Sequence, residues 1–274
     1  MKIRRHRLHD DNDKPVPFTE SPNTEARKLD PQYLVMHYTA GRSLESSVEW
    51  FTNPQAKASA HLVIGRDGSI VQMVPFDRVA WHAGQSRWHG LVGLNHFSVG
   101  IELDNAGILT RQGGKWKAWF GGDYPEEELV EAVHQHETII RGWHAFTSKQ
   151  LEIATEVAAT LVTQYQLRDI IGHDDIAPGR KVDPGPAFPM ESFRSRALGR
   201  SVSDPEPFET VTELNIRTGP GIEFEKLPRS PLPKGTRLFV NARAASWCAV
   251  DVLDVDGDSD LIGWVHGDFI RPVA

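Results

Sequence analysis

"IIGHDDIAPGRKVDPGPAF", residues 170–188, opens as a short apolar strand and continues as neither strand nor helix. It crowds a histidine, several acids, an Arg-Lys pair and three prolines into a stretch too rich in Pro and Gly for regular structure. Just before it, "TSKQLEIATEVAATLVTQYQL" (147–167) reads as an amphipathic helix. Leu151, Ala154, Ala158, Leu161 and Tyr165 form its apolar stripe, and Thr147 with Gln150 forms a capping box. A helix feeding a buried strand that ends in a polar, rigid loop is the unit of an α/β fold with a site at its strand ends.

Working outward, "YLVMHYT" (33–39) is a buried strand, and "SLESSVEWFTNP" (43–54) a helix stopped by Asn53-Pro54. "AHLVIGRDGSIVQMVP" (60–75) is a hairpin around Arg66-Asp67-Gly68, and "SVGIELDN" (98–105) another strand. Residues 107–146 are Gly/Trp-rich and then carry a short helical patch, "PEEELVEAVHQHETII" (125–140). If that patch is helical, His134 and His136 point to different faces and sit on a solvated surface rather than forming a chelating pair. Residues 1–30 are polar and Pro-punctuated, an extended arm. Residues 31–195 form the main domain, and 196–210 form a linker. From 211 to 274 the chain becomes short strands and turns, a small all-β barrel. "DVLDVDGDSD" (251–260) lacks the glycine position and closing glutamate of a calcium loop and is an acidic hairpin turn.

Bulk properties exclude several classes. The 274 residues carry a net charge of −7 with no basic stripe, which argues against nucleic acid as a partner. No apolar run approaches the roughly 18–20 residues that cross a bilayer, so membrane insertion is not expected. Cys248 is the only cysteine, so no intrachain disulfide forms. The basic start "MKIRRHRLHDDNDKPVPF" has no apolar region behind it and is not a standard signal peptide. The expectation is synthesis in the cytoplasm, with any action on a cell wall following release or delivery by another route.

His37 ends a buried strand, His173 stands at the mouth of the 170–188 stretch, and Asp183 follows ten residues later. Two histidines and a carboxylate make a hydrolase-type zinc set. With 12 histidines in the chain, any one taken alone reads more readily as a hydrogen-bonded structural residue.

The combination is more specific. "VMHYTA", "SAHLVIGRDGSIVQMVPFDRVAWHAG", "NHFSVGIELDN" and "GHDDIAPGRKVDPGPAF" occur in that order. Together they resemble the zinc-dependent N-acetylmuramoyl-L-alanine amidases of the AmpD-like type (amidase type 2), a family that also contains phage lysozyme-amidases and peptidoglycan recognition proteins. The resemblance implies a mixed β-sheet flanked by helices, with Zn2+ held in a groove by His37, His173 and Asp183. It implies Glu102 as the catalytic glutamate and Lys181 as the lysine that stabilises the oxyanion. His61, Trp81 and His82 match motif positions near the groove, as substrate contacts or as support for the ligands. Ala60 replaces the tyrosine of the phage lysozyme branch. Gly93 stands where the cytoplasmic recycling enzymes carry an arginine thought to grip the stem peptide carboxylate.

Residues 211–274 resemble a bacterial SH3-like domain, through "LNIRTGPG" and "GWVHGDFI". Such modules usually bind the cell wall. The implied function is hydrolysis of the amide between N-acetylmuramic acid and L-alanine in peptidoglycan or muropeptides. The SH3-like module favours a wall-lytic role over muropeptide recycling. The alternative is a peptidoglycan-binding protein without catalysis; the complete set of ligands and catalytic residues favours the enzyme.

Overall fold

A computed structural model describes residues 1–198, 207–244, 246–254 and 259–273. Its centre is a five-stranded mixed sheet. The strand order is Asp169–Gly172, Tyr33–Tyr38, Ser98–Leu103, Leu62–Ile64 and Ile70–Gln72. The first four are parallel, and the last closes the hairpin antiparallel to its neighbour. These strands read as apolar runs because both faces are covered. On one face Leu34, Met36, Leu62, Ile64, Val99, Ile101, Leu103 and Ile170 pack against Ala154, Val157, Ala158 and Leu161 of the long helix Ser148–Tyr165. On the other, Tyr33, Val35 and Ile171 pack with Ala83, Leu94 and Ile176.

Thr147 caps the long helix by accepting from the Gln150 amide at 3.1 Å. Gln150 does not complete the expected box. Its side chain donates to Ile64 O and Asp104 O, each at 3.0 Å, and pins the helix to the sheet. The helix after the Tyr33–Tyr38 strand, Leu44–Thr52, starts at the N-cap Ser43, which forms a capping box with Ser46.

Residues 1–30 are not an extended arm. Lys2–Arg4 and Arg7–His9 form a hairpin, and Thr24–Lys28 pairs antiparallel with Arg78–Ala80. Leu8 is fully buried in the main core. The buried side chain of Gln72 accepts from the Leu8 amide at 2.9 Å and donates to His6 O at 3.1 Å. Lone apolar residues among polar ones give no periodic signal. The partner was supplied by tertiary structure.

The 125–140 patch is not helical beyond one 3-10 turn at Glu126–Glu128. Leu129–Val133 is a strand that pairs with Ile140–His144 at the edge of a second, antiparallel sheet. The remaining strands of that sheet are Ile108–Gln112, Lys115–Ala118 and Gly121–Tyr124. Glutamates favour helix, but the Leu-Val-x-Ala-Val run also suits a strand, and cross-strand pairing decides between them.

Helix Met190–Ala197 packs Phe193 and Ala197 into the main core, so the linker begins later than 196. Residues 199–206 of the expected linker and 255–258 of the acidic turn lie outside the described residues. From Phe208 the chain forms a five-stranded antiparallel sheet with its own core of Leu214, Ile216, Leu232, Leu238, Val250, Val252 and Val265. One edge strand, Ser259–His266, lies alongside the Leu129–Val133 edge of the second sheet.

Because Leu8 fills the core, Leu8→Ala should cost about 2–5 kcal/mol of unfolding free energy in a urea titration. A change below about 0.5 kcal/mol, the value for an exposed site, would show that the segment is peripheral.

Candidate active site

The functional side chains gather at the carboxyl ends of the parallel strands, where open α/β sheets bind ligands. His37 and Glu102 are direct cross-strand partners, so their side chains share the face of the sheet opposite the long helix. His173 is the first residue after the strand Asp169–Gly172, at the start of the short helix His173–Ile176. Asp183 returns to the same point along the Pro/Gly loop. Its carbonyl accepts from the Asp174 amide at 2.8 Å.

His37 Nδ1, His173 Nδ1 and Asp183 Oδ2 form a triangle with sides of 2.9 Å. All three residues are buried. What lies behind each ring fixes its tautomer. His37 Nε2 is 3.0 Å from His82 Nδ1, and His82 Nε2 is 3.2 Å from Ser98 O. A carbonyl only accepts, so His82 carries its proton on Nε2, and His37 Nε2–H donates to His82. His173 Nε2–H donates to Ala83 O at 3.3 Å. Both N–H groups are spent away from the centre, leaving two lone pairs and a carboxylate facing one another. Such a cluster is fit to hold a divalent cation, and its donor types suit zinc.

Burial is the largest influence on each group. It drives His37 down to about 4, helped by His173 and opposed by Asp183. Burial alone would raise the Asp183 carboxyl. The flanking His173 and His37 outweigh it and hold that group well below the usual range. Glu102 is raised well above its ordinary value by burial and then by Asp183, while Lys181 pulls it back. Glu102 Oε2 is buried without a hydrogen-bond partner, a polar atom left for a ligand to satisfy. Lys181 lies near enough for its charge to act on both Glu102 and His37.

The three remaining candidates differ. His82 is buried and holds His37, so it is a support rather than a surface open to substrate. His61 is fully buried, with Nε2 bonded to Arg78 O at 2.9 Å and Nδ1 accepting from the Gly100 amide at 3.0 Å. Both nitrogens are used internally, so it is a brace for the sheet and not a substrate contact. Trp81 is half-buried, with its amide bonded to Ser59 Oγ.

Sequence reading missed three supports. Asn95 Oδ1 accepts from the amides of His82 and Ala83, at 3.0 and 2.7 Å, and so fixes the loop behind His37 and His173. Gly100 faces the His82 ring; a Cβ there would lie 2.4 Å from His82 Cγ. The "NHFSVGIEL" motif carried both residues. The third is His134, expected on a solvated helix but buried against the ligand loop. Its Nε2–H donates to Asp174 Oδ2 at 2.9 Å, and its ring stacks on Trp143. His136 Nε2 reaches Asp174 O at 3.2 Å, and Gln135 bonds Asp175 at 3.1 Å. Trp143 packs so closely on Gly185 that a Cβ there would meet it at 2.7 Å. The second sheet thus clamps the loop that carries His173 and Asp183.

Removing a support should loosen the metal and leave the fold intact. His82→Ala and Gly100→Ala should each weaken zinc affinity about 10–100-fold in a chelator competition. Unchanged affinity in both would break the link from His82 to His37. The histidines also set a pH dependence. Folded-state values near 4 for His37 and His61 lie below the ordinary 6.5, so the unfolded chain binds protons first. Stability of the metal-free protein should be complete above pH 6.5 and fall as pH drops towards 4. A urea midpoint that does not move between pH 7 and pH 5 would contradict this.

The family model described as N-acetylmuramoyl-L-alanine amidase matches residues 27–186. The 1,6-anhydro-N-acetylmuramyl-L-alanine amidase AmpD of Escherichia coli (strain K12) is 34% identical over 195 residues, covering 64% of this chain and 87% of its own length. The N-acetylmuramoyl-L-alanine amidase AmiD of the same organism is 28% identical over 219 residues, covering 72% of this chain and 69% of its own. A crystal structure of a selenomethionine AmpD derivative aligns with a TM-score of 0.49 at 28% identity, over 72% of this chain and 99% of that one. The matched segment contains every strand of the central sheet together with His37, Glu102, His173, Lys181 and Asp183, and the chain belongs to the N-acetylmuramoyl-L-alanine amidase family.

Proposed function

We propose that this chain is a zinc-dependent N-acetylmuramoyl-L-alanine amidase that hydrolyses the amide between N-acetylmuramic acid and L-alanine. The convergence of His37, His173 and Asp183 beside the unpartnered Glu102 carries this reading. A zinc ion held by the three ligands would supply a Lewis acid and bring the pKa of a coordinated water to about 7. Glu102 would take the proton of the water that adds to the carbonyl and return it to the departing alanine nitrogen. Its buried carboxyl, with a neighbouring cation to stabilise its charged form, suits both halves of that exchange. Lys181 would stabilise negative charge developing on the carbonyl oxygen. A non-catalytic binding protein has no use for an unpartnered buried glutamate beside a complete ligand set.

The substrate's physical form is the finer question. The relative named for the 1,6-anhydro sugar favours a soluble anhydromuropeptide, and the relatives lend no support to the wall-lytic preference. Gly93, where recycling enzymes carry an arginine, weighs towards polymeric wall. So does the C-terminal unit, if its strands make the SH3-like, wall-binding module that its motifs resemble.

Chelation should abolish hydrolysis and zinc should restore it; turnover by demonstrably metal-free protein would overturn the mechanism. Glu102→Gln should keep its zinc and lose about 10²–10⁴-fold in kcat. Near-normal kcat in that variant would remove Glu102 from its role. Mass spectrometry of products from intact sacculi and from a soluble anhydromuropeptide, at matched bond concentration, decides between the two substrates.

A further inference from the structure

The carbonyl that holds His173 has a second donor. Ala83 O accepts from His173 Nε2–H at 3.3 Å and from Arg180 Nη2–H at 3.1 Å. The same guanidinium nitrogen donates to Gln85 O at 2.5 Å. It carries two protons, and a carbonyl oxygen has two lone pairs, so every one of these bonds can form at once. Between the two carbonyls lies Gly84, in the left-handed region at φ +53°, and a Cβ there would stand 3.7 Å from both terminal guanidinium nitrogens. Arg180 therefore lies across Gly84 and hooks the loop on either side of it. The hook is anchored in the turn that follows the helix His173–Ile176. Ala177 N donates to His173 O at 3.0 Å, and the Arg180 and Lys181 amides donate to Ala177 O at 3.1 and 3.0 Å. The chain leaves His173, turns tightly and returns to grip the carbonyl to which the His173 ring donates.

We propose that Arg180 is a positioning residue for the metal: it fixes the Ala83 carbonyl, so that His173 keeps its Nε2 proton outward and its Nδ1 lone pair towards Asp183 and His37. The inference rests on the zinc reading above and deepens it. Asn95 holds the loop by its amides at 82 and 83, and Arg180 holds it by its carbonyls at 83 and 85. The outward bond of His173, at 3.3 Å, is longer than the 3.0 Å bond of His37, so the His173 ring depends more on an acceptor that does not move. Charge separates this role from a purely electrostatic one. A guanidinium repels a divalent cation, so deleting it for its charge alone would tighten metal binding. Deleting a group that holds a ligand in place loosens it.

The test is titration of the full-length protein with zinc against a chromophoric chelator, at a pH where circular dichroism shows the metal-free chains folded. Arg180→Met, which keeps most of the stem and removes the donors, should bind zinc about tenfold more weakly, the lower end of what such partners are worth. Arg180→Gln, whose shorter amide cannot span both carbonyls, should do the same and carries the test if the methionine variant does not fold. With cobalt in place of zinc, the visible spectrum of either variant should differ from that of wild type, because the His173 ring is free to turn; a loss of stability elsewhere in the chain would leave that spectrum alone. The proposal is overturned if the variants bind zinc as tightly as wild type or more tightly, or if their cobalt spectra match it. It is equally overturned if KM for a muramoyl peptide rises while zinc affinity holds, which would make Arg180 a substrate contact. Wild type that takes up no zinc defeats the metal reading and this one with it, whereas tight zinc in wild type and variants alike defeats this one alone.

Discussion

Three lone-pair atoms held 2.9 Å apart in a buried place are the constraint around which this fold is arranged. Left alone they repel, and burial makes each of them costlier to keep charged or unpaired. The protein holds them by spending the outward nitrogens of both rings on fixed acceptors. His82 does this for His37 and the Ala83 carbonyl for His173. Each acceptor is itself held, His82 by Ser98 and the 82–83 backbone by Asn95. The geometry of the three atoms is therefore set two hydrogen bonds away, by a loop that supplies none of them.

The sheet explains why this loop is where it is. Parallel strands end together, so residues far apart in sequence emerge at one rim. His37 and Glu102 meet there as register partners, and His173 enters from the adjoining strand. The rim tolerates the crowding because Gly100 leaves space for the His82 ring. The opposite face is packed mainly with apolar side chains and is sealed by the long helix, so the polar groups of the site converge on the other face.

The second sheet adds a layer that belongs to the site rather than to the core. His134, Gln135 and His136 reach the Asp174–Asp175 backbone and side chains, and Trp143 presses on Gly185. A Pro/Gly loop without such contacts would wander, and its aspartate with it. The same sheet extends Trp119 to Ala40, where its Nε1–H donates to the Ala40 carbonyl at 2.8 Å.

Much of this was legible in the sequence. The apolar runs at 33–38 and 98–103, the hairpin around Gly68 and the amphipathic helix are local patterns, and local patterns survive without a partner. His37, His173 and Asp183 were recognisable because their motifs are compact and ordered. What the sequence could not decide was anything whose energy lies in a distant partner. Leu8 reads as one leucine in a polar tail until Gln72 and the core receive it. His134 reads as a surface histidine on a glutamate-rich helix until Asp174 accepts its proton and Trp143 its ring. His61 and His82 carry equivalent motif signals, yet one braces the sheet and the other holds a ligand. Only the partner each ring meets, the Arg78 carbonyl that accepts from His61 or the His37 N–H that donates to His82, separates them. Propensity and motif are properties of a segment, whereas hydrogen-bond partners are properties of the folded chain. The tertiary structure therefore determined which histidines serve the centre.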